Sequence, residues 1–382
     1  MKSNLSTICD YRKGKVDVAT LTHLSYISTE NMLPNKGGIT SAASLPTISQ
    51  TQEYRKGDVL VSNIRPYFKK IWKAKTDGGC SNDVLVFAAK DGTDPDFLYY
   101  VLADDSFFEY SMATSKGTKM PRGDKTSIMR YQVPSIDIST QRRIASILRS
   151  LDDKIELNTE INNNLLEQVQ TLYRNRFVDT VNNERRICRA DEYFDISIGK
   201  TPPRKEPQWF STNPQDVTWV SISDMGTCGL YIGSSSEQLT KEAVDRHNVK
   251  IVPDNTVLLS FKLTVGRIAI TNGEMTTNEA IAHFKTDKKE INEYLYCYLK
   301  CFNYQTMGST SSIATAVNSK IIKGMPFVVP TDDELMDFHS VAAPIFAKIK
   351  ANQTESENLT AVRDTLLPKL MSGELDVSDI DP

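Results

Sequence analysis

Between Ser139 and Phe177, apolar side chains stand at Ile144, Leu148, Leu151, Ile155, Leu165, Val169 and Leu172. The steps alternate between four and three residues, and Asn158 and Asn162 fill the two middle places. A 3.5-residue period is that of a coiled-coil seam, here with a polar centre. The same period also suits an amphipathic helix lying on its own domain. A shift of 194 residues tilts the choice. Phe338, Ala342, Ile345, Ile349, Asn352, Ser356, Leu359, Arg363 and Leu366 then match the first set one for one. The polar centre recurs as Asn352 and Ser356, and Arg363 in the place of Val169 is the one poor match. Two copies of a long helix, each with a stripe in need of a partner, predict that the copies pair with each other as a strut. Its length would be roughly 55 Å at about 1.5 Å per residue.

The segments before the two helices also repeat. Tyr54 to Trp72 reads as a Gly-Asp turn running into a strand, and Asp83 to Lys90 as a second strand. Asp94 to Met112 carries an Asp cap, a proline in the first turn and helical apolar spacing. A basic, glycine-containing loop follows from Thr114 to Ser127, and the segment closes at Tyr131 to Pro134. In the second copy, Val252 to Ile270 corresponds to the first hairpin and Glu290 to Phe302 to the helix. A small-residue loop from Gly308 to Lys320 stands where the basic loop stood. Thr277-Asn278-Glu279 lies 196 residues after Ser81-Asn82-Asp83, and Val328-Val329-Pro330 lies 196 after Gln132-Val133-Pro134. An internal duplication accounts for this order. The second copy adds Ser197 to Phe210 and Val217 to Gly226, an opening for which the first copy shows no counterpart. Neither copy alternates strand and helix as a doubly wound sheet would.

The helix segments carry a resemblance. The run from Gln141 to Ala145, LDDKIELN at Leu151 to Asn158, and LLEQVQTLYRNRF at Leu165 to Phe177 resemble the central conserved region of specificity subunits of type I restriction-modification systems. TLLPKLMSGEL, from Thr365 to Leu375, resembles their distal conserved region. The two stretches opening the second copy resemble the start of many target-recognition domains of that family. The resemblance implies an α+β chain with two duplicated mixed α/β target-recognition domains, residues 1–138 and 181–333. They are separated by two long helices forming an antiparallel coiled coil, the central one at 139–180 and the distal one, with its tail, at 334–382.

Charge changes the picture only when it is divided. The net charge is −3. Residues 1–140 hold 18 basic and 15 acidic side chains, residues 181–330 hold 17 and 16, and residues 331–382 hold four and 11. The acid is in the tail, and neither globular segment is a strongly basic DNA-binding domain. Nucleic-acid contact must come from local patches. In the first domain these are Asn63, Arg65, Lys69 and Lys70, then Lys116, Lys119, Arg122 and Lys125 in the basic loop. In the second they are Lys200, Thr201, Arg204 and Lys205, with Lys262 and Arg267 at the hairpin. Such side chains hold phosphates and read base edges; each taken alone is more often solvated surface.

Catalytic signatures are missing. Gly199-Lys200-Thr201 invites a P-loop reading, but Phe194 occupies the place of its first glycine. No Asn-Pro-Pro-aromatic motif and no glycine-rich cofactor loop occurs. His23, His247, His283 and His339 form no metal or triad spacing. The six cysteines are scattered and read as reduced thiols. Ser81-Asn82-Asp83 reads as a turn before a strand. No apolar run nears the ~18 residues of a membrane span, and the N-terminus lacks a signal-peptide core, so a cytoplasmic protein with no membrane partner is expected.

The resemblance then implies a non-catalytic subunit that binds no cofactor itself. Each domain would recognise one half of a bipartite, asymmetric site in double-stranded DNA. The helices would set the gap and dock two modification (methyltransferase) subunits carrying S-adenosylmethionine, with restriction/translocase subunits using ATP and Mg. Phage defence through DNA methylation would be the outcome. Two other readings stand beside it: a coiled-coil adaptor that binds protein only, and a catalytic nuclease or methyltransferase.

Overall fold

The recurring apolar runs become hairpins in the computed structural model, which describes residues 2–180, 185–307 and 318–378. The chain falls into two units, Met1–Ile155 with Asn358–Pro382, and Glu156–Glu357.

In the first unit, strands Cys9–Tyr11, Val84–Ala89, Val59–Ser62 and Ile71–Lys73 form an antiparallel sheet in that order. Val84 to Phe87 and Val59 to Ser62 are buried on both faces, which is why these strands read as continuous apolar runs. A second sheet orders Lys15–Asp17, Gln50–Tyr54, Gly78–Cys80 and Tyr26–Ile27, the last pair parallel. Lys2–Asn4 pairs with Gln132–Pro134 and ties the start of the domain to its end.

Two expectations need correction here. The strand from Tyr54 to Trp72 is two strands, because the chain leaves the ladder from Asn63 to Lys70. The helix from Asp94 to Met112 is two helices, Pro95–Ala103 and Asp105–Ala113. Asp104 breaks it by ending the first and capping the second, its carboxylate accepting from the Ser106 N–H at 2.8 Å. Together they bury Phe97, Leu98, Val101, Phe107 and Phe108 with Val59, Leu85 and Phe87.

The second unit repeats the plan. Asp195–Ile198, Ile281–Lys285, Val257–Ser260 and Ile268–Thr271 run antiparallel, and Tyr231–Ile232 adds a parallel edge. The second sheet orders Phe210–Ser211, Glu237–Leu239, Val217–Val220 and Thr276–Thr277, again ending in a parallel pair. Ile187–Arg189 pairs with Pro326–Val328. The parallel ends correspond: Tyr26–Ile27 lies on Gly79 and Cys80 as Trp219 and Val220 lie on Thr276 and Thr277. The first domain therefore has a counterpart of part of the second domain's opening, too short and too poor in apolar residues to stand out in the sequence. Of the small-residue loop from Gly308 to Lys320, residues 308–317 lie outside the described residues.

The central helix is Ile138–Tyr173, continued by a π-turn over Arg174–Val178. Asp137 caps it, accepting from the N–H groups of Ser139 at 2.9 Å and Thr140 at 3.0 Å. The distal helix is Asp332–Ser372. In the first unit, Ile144, Ala145 and Leu148 share a core with Leu367, Leu370 and Val377. The mismatched Arg363 is answered there: it donates to Asp152 at 2.7 Å, and Asp152 also accepts from Tyr100 at 2.8 Å. Burial works against the Arg363 charge and is the largest single effect, but the hydrogen bonds and charges of Asp152 and Asp364 together overcome it and the pKa rises.

In the second unit, Val169, Tyr173 and Phe177 meet Phe338, Ala342, Phe346 and Ile349. The polar centre is a hydrogen-bonded cluster. Asn158 Nδ2 donates to Glu355 at 2.8 Å and Ser356 at 3.3 Å, and Asn352 Nδ2 donates to Asn162 Oδ1 at 2.8 Å. Numbers that rise on one helix as they fall on the other mark an antiparallel pair.

Ile144, Leu148, Asn158, Val169, Ile349 and Asn352 are buried, while Leu151, Ile155, Asn162, Leu165, Leu172, Ile345, Ser356, Leu359 and Leu366 are half-buried. Near the helix ends the deeper residue is the next one along: Tyr173 beside Leu172, Phe346 beside Ile345, Leu367 beside Leu366. A 3.6-residue helix drifts about 20° per heptad from a 3.5 repeat, so the buried stripe walks off the strict seam where each helix meets a domain core.

Asn158 Oδ1 is buried without a partner, so the polar centre costs stability and confers register. Changing Asn158 and Asn352 together to Leu is expected to raise the melting temperature, by roughly 2–4 °C per kcal/mol gained, and to allow mispaired species. Calorimetry with light scattering checks this; a lower melting point with an unchanged single species refutes it.

His283 gives a pH signature. It is fully buried on Ile281–Lys285, with Ser197 at 3.0 Å from Nδ1 and Thr277 at 2.7 Å from Nε2. Burial first, then the charge of Lys285, pushes its pKa from 6.5 down to about 3. The folded state holds the ring neutral, so the unfolded chain takes up the proton first. Stability from this group is intact above about pH 6.5 and falls as pH drops toward 3, by at most ~1.4 kcal/mol per pH unit. Urea denaturation at pH 7 and pH 5 is expected to show a smaller difference in His283→Gln than in the wild type. Equal differences in the two proteins would mean that His283 is not held neutral.

Candidate nucleic-acid interface

The two hairpins are built alike at their tips. In the first unit the Ser62 N–H donates to the Lys70 carbonyl at 3.0 Å, and in the second the Ser260 N–H donates to the Arg267 carbonyl at 2.9 Å. Three residues beyond each serine the backbone turns left-handed, at Arg65 (φ 52°) and Leu263 (φ 60°). It does so again just before the closing residue, at Lys69 (φ 50°) and Gly266 (φ 90°). Side chains other than glycine rarely adopt this region, so the shared geometry belongs to the duplicated design and not to chance.

In the first unit the tip is braced from two sides. The basic loop pairs with itself through Lys116 and Arg122 and with the tip through Ile64 and Arg122, and the Arg65 N–H donates to the Pro121 carbonyl at 2.8 Å. On the other side is a turn at Asn35 and Lys36, both left-handed, whose N–H groups donate to the carbonyls of Phe68 and Lys69 at 2.8 and 2.9 Å. Lys36 and Lys69 clasp Asp105 at 2.9 and 2.8 Å. Burial raises the Asp105 pKa, but the hydrogen bonds from Lys69 and Lys36 carry it below the usual value.

The structure thus brings Asn63, Arg65, Lys69, Lys70, Lys116 and Arg122 together, but they are not equally available. Asn63 is buried, its Oδ1 without a partner, and Arg65 Nε is likewise buried and unpaired. Lys70 turns inward, donating to the Thr29 carbonyl at 2.6 Å, and burial lowers its pKa. Arg122 pairs with Asp83 at 3.1 Å. Lys116 pairs with Asp124 at 2.6 Å and with the Ser127 amide holds that carboxyl down at about 2. Lys119 and Lys125 are exposed. Sequence reasoning missed Lys36 and two exposed aromatics, Tyr67 and Phe68, whose rings lie 4.7 Å apart. The run Asn35-Lys36-Gly37-Gly38 was the available signal, as a turn that wants positive φ.

In the second unit, Gly199-Lys200-Thr201 ends the strand Asp195–Ile198, and no helix follows it as a P-loop requires. A Cβ at Gly199 would strike Thr277 and the Asn278 backbone, so glycine is needed for strand contact. Lys200 donates to the His247 carbonyl at 2.6 Å, and Thr201 donates to Glu279. Arg204 pairs with Glu237 through two bonds, at 2.9 and 2.8 Å, and lies over Phe210 and Trp219. Burial raises the Glu279 pKa, but the hydrogen bonds from Thr201 and the backbone, and then the charges of Lys262 and Arg204, bring it down. Lys205 and Lys262 are exposed. Arg267 is an anchor: it lies against Gly226 and donates to the Ile222 carbonyl at 2.5 Å. Among the described residues, no group of three or more His, Cys, Asp or Glu is placed to hold a metal ion, and no helix is long and apolar enough to cross a membrane.

Comparison with known proteins agrees with this architecture. The family described as the type I restriction modification DNA specificity domain matches residues 2–167 and 186–359. The specificity subunit of the type I restriction enzyme HindI from Haemophilus influenzae is 23% identical, over 94% of this chain and 96% of its own. The MjaIX specificity subunit from Methanocaldococcus jannaschii is 26% identical, over 76% and 71%. The crystal structure of a type I restriction-modification S subunit from M. genitalium shares the fold at a TM-score of 0.50 and 16% identity, over 97% and 96% of the two chains. With two family segments that together take in most of its length, this chain belongs to the family of type I restriction-modification DNA specificity subunits.

Proposed function

We propose that the chain binds a bipartite site in double-stranded DNA, one half-site per unit, and that each unit reads its half with the hairpin tip and the loops that brace it. Membership of the family makes it a targeting subunit, with catalysis left to other chains. The observation that carries the proposal is the matched pair of strained tips, Asn63 to Lys70 and Phe261 to Arg267, each set among basic side chains. A loop that keeps two left-handed residues in both copies is held rigid for contact, and Lys and Arg around it supply phosphate anchors. The two copies have diverged at the tip itself, as two different half-sites require. The long helices are the surface on which two modification subunits dock, and S-adenosylmethionine, ATP and Mg enter with the modification and restriction subunits.

Two measurements test this. Exchanging residues 181–333 for the matching segment of a relative is expected to change one half of the methylated motif and leave the other intact; alteration of both halves would refute the division of labour. Replacing Lys116, Lys119 and Arg122 by Ala is expected to weaken binding to all sequences alike. It should also reduce the slope of log affinity against log salt by about one per lost phosphate contact. An unchanged slope would place that loop away from DNA.

A further inference from the structure

Leu263 is fully exposed, at 100% of its reference surface. It sits at the very tip of the second unit's hairpin. The Thr264 N–H donates to the Lys262 carbonyl at 2.6 Å, closing a three-residue γ-turn on Leu263 at φ 60°. The positive-φ form of this turn is rare and strained, and leucine does not suit that backbone. The tip is nonetheless firmly held. Ser260 Oγ donates to the Thr264 carbonyl at 2.6 Å and accepts from the Arg267 N–H at 3.0 Å, and the Arg267 side chain is bolted to the Ile222 carbonyl. Lys262, whose ammonium lies 5.7 Å from the Phe261 ring, flanks the leucine. A glycine here would remove that strain, and at full exposure Leu263 contributes nothing to a core.

We propose that Leu263 reads the 5-methyl group of a thymine in the half-site bound by the second unit. The inference rests on the DNA-binding reading above and names a specificity-determining side chain for it. A two-stranded ribbon fits the major groove, where the thymine methyl is the one apolar mark on the base edges and an apolar side chain is its complement. The exposed lysine beside the tip, Lys262, favours a neighbouring phosphate. The first unit places Arg65 at the equivalent left-handed position, so the same hairpin carries a donor in one copy and a hydrocarbon in the other.

The test uses the full chain with its methyltransferase partner, and duplexes carrying the motif found by selection. Each thymine of the second half-site is replaced in turn by deoxyuridine, which lacks only the methyl. Wild type is expected to lose affinity about fourfold at one position, the worth of one buried methyl. Leu263→Gly, which suits the positive φ and is expected to melt no lower than wild type, should not distinguish thymine from deoxyuridine there. Leu263→Ala is expected to fall between them. A selected half-site without thymine, or equal deoxyuridine sensitivity in wild type and Leu263→Gly, would overturn the proposal. So would 2-aminopurine fluorescence that rises on wild-type binding and not with Leu263→Gly, which would make the leucine a wedge between base pairs. Loss of methyltransferase association with DNA contacts unchanged would make it a protein contact and also overturn it. Failure of the wild-type complex to select any half-site would remove the DNA-binding reading itself, and is distinguishable because no variant is then needed.

Discussion

Two long amphipathic helices cannot leave their apolar faces in water, and the rest of this chain follows from where those faces are buried. The central helix gives Ile144 and Leu148 to the core of the first unit and Val169, Tyr173 and Phe177 to the core of the second. The distal helix gives Leu367 and Leu370 to the first and Phe338, Ala342, Phe346 and Ile349 to the second. In each case the helix segment is an integral wall of a core that also holds strands and short helices. At about 25 cal/mol per Å² of apolar surface, burial of such aromatic and aliphatic side chains outweighs anything that surface ion pairs contribute.

Polar groups within that packing are largely answered by one another. Arg363 stands in an apolar place and is matched by Asp152, which Tyr100 also supports. Asn158, Asn162, Asn352, Glu355 and Ser356 satisfy most of one another's hydrogen-bonding needs, with Asn158 Oδ1 left over. Clusters of this kind discriminate against shifted registers, because a slip would bury the amides against hydrocarbon. His283 follows the same rule inside the second unit's sheet, where Ser197 and Thr277 meet its two ring nitrogens.

The hairpin tips follow a different logic. Left-handed residues other than glycine cost about 1–3 kcal/mol each, and the first unit gathers four of them, Asn35, Lys36, Arg65 and Lys69, in one place. Bracing hydrogen bonds and the Lys36–Asp105–Lys69 clasp hold them there. In a scaffold whose strands and helices follow ordinary rules, positive φ recurs at the two equivalent tips, and the proposed contact surface is drawn from that recurrence. The family to which the chain belongs makes DNA the natural candidate.

The duplication, the two helices, the polar centre and the succession of hairpin, strand and helical segment shared by the two copies were legible in the sequence, because each is written in local periodicity or in a constant offset between like residues. The breaks at Asn63 and Asp104 were not, since a strand run and a helix run look continuous until caps and ladder partners are known. Which basic residues are available was decided by tertiary structure alone. Arg267 and Lys262 are equal candidates by composition, yet one is anchored on Ile222 and the other is exposed. Lys69 meets Asp105, and Lys70, its neighbour, meets Thr29. Those partners lie tens of residues away along the chain, and no local pattern records them. Leu263 shows the limit most clearly: by sequence it is one more apolar residue in an apolar stretch, and only the turn that the flanking strands impose makes it the most exposed leucine among the described residues.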